Sequence, residues 1–260
     1  MSHIFIGDVH GCAAELDALI VKTGYVKGTD HLYLTGDAFT KGPDPLGVWT
    51  TIGNTGAQMV LGNHDAKLLE RLQARVRNED ESGLEPNQIH TLNALDPVHD
   101  AIILWIEFLP LSIRELEFTL VHAGVNPDRG FERTNRDEFL AIRTWPPTEG
   151  IEGPRWYDHY TPPDQRTLIF GHDAPKGLVI KRQDPDAPPF VVGLDTGCVY
   201  GRKLTAWILE EDEFVDVDAR HTSVCSLPND RAFNILARPP RLLGRTLVSS
   251  STIPASGFEV

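Results

Sequence analysis

Apolar residues fall in short runs rich in Ile, Val, Leu and Phe, at 3–7, 31–35, 57–61, 117–122, 167–170, 190–194 and 204–209. Runs of this length, bounded by glycine, aspartate or proline, predict buried β-strands. Between the early runs the apolar period lengthens to that of a helix. Residues 12–21 set Ala13, Leu16 and Ile20 on one face, and 65–77 repeat Leu68, Leu72 and Val76. Asp44-Pro45 reads as an N-cap followed by proline in the first helical position, opening a helix over 45–53. Asp96-Pro97 opens another, with Val98, Ile102, Trp105, Ile106 and Leu109 toward the core. Thr134 and Asp137 have the spacing of a capping box for a short helix through about 142. Strand and helix alternate early and strands dominate later. This predicts an α/β sandwich with parallel early strands and antiparallel late ones.

Residues 144–166 break the pattern with five prolines and the aromatics Trp145, Trp156, Tyr157 and Tyr160, and 182–190 form a Pro/Asp-rich loop. Past about 220 the pattern fades. The expected division is therefore one domain over 1–220 and a partly irregular C-terminal extension over 221–260, the latter with four arginines against Asp230 and Glu259. The 260 residues carry 24 basic against 37 acidic side chains, a net charge of −13. Such a surface repels a nucleic-acid backbone, so duplex binding is not expected. Cys12, Cys198 and Cys225 form neither a disulfide framework nor a CxxC zinc pattern, which points to a reducing compartment. No apolar run reaches membrane-spanning length, and the chain opens on the strand Ile4-Phe5-Ile6 with no signal-peptide pattern. A cytoplasmic protein is expected; nothing in the sequence speaks to its oligomeric state.

The candidate chemistry collects at the ends of five predicted strands. Ile4-Phe5-Ile6-Gly7 runs into Asp8 and His10, and Leu32-Tyr33-Leu34-Thr35-Gly36 into Asp37. Met59-Val60-Leu61-Gly62 runs into Asn63-His64, Thr119-Leu120-Val121 into His122, and Leu168-Ile169-Phe170-Gly171 into His172. Open α/β sheets place their sites at the carboxyl ends of strands, and glycine beside a ligand lets the backbone turn and approach closely. A single Gly-Asp is usually a turn and a single strand-end histidine usually structural; five strand ends, each with a suitable residue, overturn that reading. Two aspartates, an asparagine and three histidines with no thiolate form a mixed O/N donor set suited to manganese, iron or zinc. One shared carboxylate among them is enough for two divalent ions, the arrangement of two-metal hydrolases.

The ordered set Gly7-Asp8-Val9-His10-Gly11, Gly36-Asp37, Gly62-Asn63-His64-Asp65, His122-Ala123-Gly124 and Gly171-His172 resembles the signature of the phosphoprotein-phosphatase superfamily of metallophosphoesterases. The resemblance covers about 1–215 and is closest to the ApaH branch and its ApaH-like phosphatase relatives. Asp65 stands where protein phosphatases usually have Glu, and Thr40-Lys41-Gly42-Pro43 resembles the Lys-Gly-Pro variant of ApaH-like phosphatases. Leu194-Asp195-Thr196-Gly197-Cys198-Val199-Tyr200-Gly201 resembles that branch's C-terminal block. The resemblance implies a calcineurin-like β-sandwich of mixed sheets flanked by helices, with 1–220 as its catalytic domain. It implies two divalent metal ions, Mn2+ first among Fe, Zn, Co and Mg. Asp8, His10 and Asp37 would hold one ion and Asp37, Asn63, His122 and His172 the other, with Asp37 bridging and therefore catalytic. His64 would be the general acid. The implied reaction is hydrolysis of a phosphoanhydride in a nucleoside polyphosphate, diadenosine tetraphosphate or a capped RNA 5′ end, by hydroxide formed between the ions. The same superfamily also contains protein Ser/Thr phosphatases and endopolyphosphatases, which are the rival enzymatic readings.

Two departures matter. Protein phosphatases carry Asp-Arg where this chain has Thr40-Lys41, so Thr40 cannot supply the carboxylate that orients the acid histidine. Lys41 offers substrate phosphate a point charge in place of a planar guanidinium. Arg143 reads equally as a second phosphate contact and as a basic residue favourable to a helix C-terminus. The four aromatics of 144–166 read either as a stacking platform for a nucleobase or as anchors of a proline-rich loop. Cys12 and Cys198 read as small packing residues, and His3, His31, His90, His99, His159 and His221 match no ligand motif.

Overall fold

The computed structural model describes residues 1–147 and 153–220; the expected extension over 221–260, with Cys225, lies outside the described residues. The strands are β1 (His3–Ile6), β2 (His31–Leu34), β3 (Gln58–Met59), β4 (Ser112–Arg114), β5 (Phe118–Val121), β6 (Thr167–Phe170), β7 (Val179–Lys181), β8 (Val191–Gly193), β9 (Lys203–Ile208) and β10 (Glu213–Asp218). The α-helices are α1 (Ala13–Lys22), α2 (Pro45–Thr55), α3 (Asn63–Val76), α4 (Pro86–Leu95), α5 (His99–Glu107) and α6 (Arg136–Ala141). The strands form two five-stranded sheets, ordered β10-β9-β1-β2-β3 and β4-β5-β6-β8-β7.

The sheets pack face to face through Phe5, Tyr33, Phe118, Leu120, Ile169, Val192 and Trp207. Phe5, at the centre, stacks on Tyr33 at 5.0 Å and meets Phe118 edge-on at 4.7 Å. The outer face of the first sheet is covered by helices, with Leu16, Val48, Ile52, Leu68, Leu92 and Ile102 in one apolar layer. Trp156, Tyr157 and Phe139 close the outer face of the second. The result is the expected mixed sandwich flanked by helices.

Strand direction departs from expectation. The late strands β5, β6 and β8 are mutually parallel, like β1, β2 and β3, and only β4, β7, β9 and β10 enter antiparallel. Apolar periodicity reports which residues are buried but not the direction in which a strand runs. A parallel neighbour requires a long crossover, and 122–166 supplies it between β5 and β6. The three-residue strands β4 and β7 are too short to register as runs, and in β10 the apolar Phe214, Val215 and Val217 are interrupted by Asp216 and flanked by Glu213 and Asp218. Helix α4 was not expected either, since its buried face is only Thr91, Leu92 and Leu95.

At Asp96-Pro97 the chain makes a short 3-10 turn, Asp96–Val98, and the helix proper begins at His99. The capping box of α6 sits one residue later than expected. Asn135 Oδ1 accepts from the Glu138 N–H at 3.0 Å and Glu138 Oε2 from the Asn135 N–H at 2.9 Å. Thr134 is otherwise engaged, accepting from the Asn126 N–H and donating to the Gly130 carbonyl. The Asp44 cap forms as expected, accepting from the Gly47 N–H at 2.7 Å.

Candidate metal centre

The parallel strands of both sheets deliver their following residues to one rim. Asp8 and His10 follow β1, Asp37 follows β2, and Asn63 and His64 open α3 just beyond β3. His122 follows β5 and His172 follows β6. Two groups of donor atoms result, Asp8–His10–Asp37 and Asp37–His122–His172, each with its donor atoms within 4.8 Å of one another. Asp37 belongs to both. All five side chains are buried, so the convergence is not the chance crowding of exposed acids.

Hydrogen bonding fixes the tautomer of the histidines. The carbonyl of Thr35 can only accept, so His122 Nδ1, 2.9 Å away, carries the hydrogen and Nε2 keeps a lone pair. The Lys41 ammonium can only donate, so His10 Nε2, 3.1 Å from Nζ, is likewise a lone pair, and His10 Nδ1 donates to Thr40 Oγ1 at 3.3 Å. His172 Nε2 is buried with no hydrogen-bond partner. Asp37 Oδ2 lies 3.5 Å from His122 Nε2 and 3.7 Å from His10 Nε2. Asn63 Oδ1 stands 2.9 Å from His122 Nε2, an acceptor facing an acceptor. Imidazole lone pairs gathered around a buried carboxylate are what a cation requires, and the O/N donor chemistry suits a divalent ion. The residues fit the group.

The carboxylates are held from outside the cluster. Thr35 Oγ1 donates to Asp8 Oδ1 at 2.7 Å and the His172 N–H to Asp8 Oδ2 at 3.0 Å. The His64 N–H, in the first turn of α3, donates to Asp37 Oδ1 at 2.8 Å, a helix N-terminus turned on an anion. A Cβ on Gly62 would stand 2.1 Å from Asp37 Oδ1 and one on Gly171 1.9 Å from Asp8 Oδ1. Only glycine lets these backbones approach. His10, Asp37, Lys41 and His172 all adopt left-handed backbone, with φ of 47°, 52°, 71° and 66°. Strain concentrated in this way marks a functional site.

Burial sets the electrostatics. It pushes the Asp37 carboxyl up to about 7. Burial, then the charges of Asp195 and Asp37, holds Asp8 well above the carboxylate range. The histidines move the opposite way: burial lowers His122 to about 4 and His64 to about 3, and holds His10 and His172 well below their ordinary value. Neutral imidazoles and carboxyls reluctant to ionise are what burial away from water imposes on both kinds of group.

The remaining expected residues lie beside the cluster. The His64 ring meets the His10 ring edge-on at 5.2 Å, and no side chain among the described residues hydrogen-bonds it. Lys41 Nζ, besides facing His10, donates to the Tyr200 hydroxyl at 3.0 Å. Arg143 donates through Nε and Nη2 to the His172 carbonyl, at 3.3 and 2.9 Å. Trp156 and Tyr157 are buried, with Trp156 Nε1 donating to the Ala123 carbonyl at 3.1 Å. They anchor their loop and are not a stacking platform. Cys12 and Cys198 are buried packing residues, as expected.

Three residues that bear on the site were not expected in it. Asp65, buried, accepts from the N–H groups of Asp37 at 2.6 Å and Ala38 at 3.1 Å, and so holds the Asp37 turn. Thr35 holds two of the candidate ligands at once, Asp8 through its hydroxyl and His122 through its carbonyl. Asp195, beyond β8, adds negative charge next to Asp8. Asp65 and Asp195 stood inside recognised motifs, and the signal that could have singled them out is a carboxylate in an otherwise apolar strand-end segment.

These features define a metallophosphoesterase, and the chain belongs to the calcineurin-like phosphoesterase family, whose profile matches residues 1–213. Among its relatives is the symmetrical bis(5′-nucleosyl)-tetraphosphatase of Shewanella sp. (strain ANA-3), 30% identical, with the alignment covering 82% of this chain and 96% of the relative. The crystal structure of a candidate diadenosine tetraphosphatase superposes with a TM-score of 0.65 at 29% identity, covering 84% of this chain and 93% of that one. A protein serine/threonine phosphatase from Saccharomyces cerevisiae, at 13% identity and TM-score 0.51, covering 88% of this chain and 82% of its own, shares the fold.

Proposed function

We propose that this protein is a dinuclear metal-dependent phosphohydrolase that cleaves a phosphoanhydride bond of nucleoside polyphosphates, with dinucleoside tetraphosphates as the first substrate class. The observation that carries the reading is the inward convergence of buried lone pairs on Asp37. The name of the Shewanella relative, matched over nearly its whole length, supports the substrate class. Residues 1–220 form the catalytic unit in this reading, supported by the regular elements of the described residues, the last of which is β10, Glu213–Asp218. A capped RNA 5′ end is a second substrate of the same chemistry, and the net charge of −13 disfavours duplex. The scattered cysteines support a cytoplasmic setting.

Asp8, His10 and Asp37 would hold one divalent ion, and Asp37, Asn63, His122 and His172 the other, Mn2+ suiting this thiolate-free donor set. When bound, such a pair supplies Lewis acidity, acidifying water and neutralising phosphoryl oxygens. The chain's own residues do the rest. Thr35 and the His172 N–H keep Asp8 from rotating, and the His64 N–H does the same for Asp37. The His64 ring is neutral in the free site; an anionic polyphosphate beside it favours the imidazolium, which then donates its proton to the leaving oxygen. Lys41 sits at the rim on Tyr200, where its ammonium meets substrate phosphate. A guanidinium carries five N–H donors, and Arg143 commits only part of them to His172, so it braces a ligand while still presenting charge to the site.

The test is a panel of diadenosine tetraphosphate, capped RNA, long-chain polyphosphate and a phosphopeptide, each with Mn2+ and with chelator. Metal-dependent turnover highest on the dinucleotide is expected. Phosphopeptide turnover exceeding it many-fold would overturn the substrate class.

A further inference from the structure

The strands that carry Asp8 and His122 at one end present a second group of ligand-type side chains at the other. One donor atom from each of His3, Glu117 and Glu210 lies within 4.8 Å of the other two. His3 opens β1, Glu117 immediately precedes β5, and Glu210 follows β9, which is antiparallel to β1. The group therefore draws on both sheets. Its geometry is preset. His3 stacks on His31, its partner in the β1–β2 register, at 5.2 Å with the rings 11° from parallel. Phe118 meets the same ring at 5.8 Å. The His3 N–H donates to Glu210 Oε2 at 2.8 Å, and His3 Nδ1 lies 2.5 Å from Glu210 Oε1.

The charge in this corner is unbalanced. Glu117 brings a second carboxylate against Glu210, and its side chain makes no hydrogen bond or ion pair among the described residues. Two carboxylates held close together, one of them without a cationic partner, beside an imidazole of fixed orientation, form an N/O donor set for a borderline divalent ion.

We propose that His3, Glu117 and Glu210 bind a single divalent cation of the Zn2+ type, separate from the dinuclear centre, and that this ion ties the two sheets together at their far end. Three protein ligands leave the remaining coordination to water. On loading, the ion takes the place of the hydrogen between His3 Nδ1 and Glu210 Oε1, and the imidazole keeps its single hydrogen by changing tautomer, with that hydrogen passing through solvent to Nε2. The site is independent of the function proposed above.

Equilibrium dialysis of the full chain against micromolar Zn2+, with metal counted by atomic emission, tests it. Wild type is expected to hold one more ion per chain than His3→Ala or Glu117→Gln, while both variants keep wild-type Mn2+-dependent hydrolysis. Zn2+ should also raise the melting temperature of wild type more than that of Glu117→Gln, an isosteric change at an exposed position. Asp37→Asn, which disrupts the dinuclear centre, should retain the extra ion. Equal counts in wild type, His3→Ala and Glu117→Gln would show that the His3–Glu210 contact is only a clasp. Loss of the extra ion in Asp37→Asn would assign it to the dinuclear centre. Either result overturns the proposal.

Discussion

Asp37 concentrates the chemistry of this molecule. It has left-handed backbone, lies against Gly62 too closely for any Cβ, and accepts from the first turn of α3. It is also the one carboxylate shared by both donor groups. Asp8 serves only one of them. Asp37→Asn should therefore cost more Mn2+-dependent turnover than Asp8→Asn, by about tenfold, or about 1.4 kcal/mol of barrier. Steady-state kinetics at saturating Mn2+ would check this, and equal losses would argue against a bridging role. At this scale much was legible: residue type and position at five strand ends named Asp8, His10, Asp37, Asn63, His64, His122 and His172. Thr35 was not legible. A threonine in a strand is ordinary, and its two hydrogen bonds to the site exist only because the ends of β1 and β5 arrive beside that of β2.

At the level of elements, local signals succeeded where they were strong and stereochemically specific. The Asp44-Pro45 cap opened α2 where expected, because proline in the first helical position and an acceptor before it leave few alternatives. The capping box of α6 shifted by one residue because Thr134 was claimed by Asn126 and Gly130, a competition that sequence spacing does not reveal. Asp30 shows a related effect. It lies at the entry to β2 and accepts from the N–H groups of Ser2 and Val26, both at 2.9 Å. These two bonds hold its carboxyl below the ordinary carboxylate range. A depressed folded-state pKa gives stability that is complete above the unfolded value of about 4 and is lost as pH falls below it. Asp30→Asn should cost about 1 kcal/mol at neutral pH, and its difference from wild type should shrink in urea titrations run below about pH 4. A difference independent of pH would mean that shape, not charge, holds the turn.

For the molecule as a whole, the centre gathers buried carboxylates and neutral imidazoles at low dielectric, so binding of divalent cations there would be coupled to folding. At cation concentrations a hundredfold above Kd, mass action adds about 2.7 kcal/mol per site. For a chain of this size that is a rise in melting temperature of about 5–10 °C. Calorimetry with Mn2+ and with EDTA should show it, and coincident curves would argue against metal occupancy. The sequence alone determined the two-layer α/β class, the strand ends that carry ligand-type residues and the reaction class they resemble, because burial period and residue chemistry are written locally. The tertiary structure decided which strands run parallel, which nitrogen of each histidine faces inward and how Asp65 and Thr35 support the cluster. Those depend on partners distant in the chain, whose positions are fixed only when both sheets close on Phe5 and its neighbours.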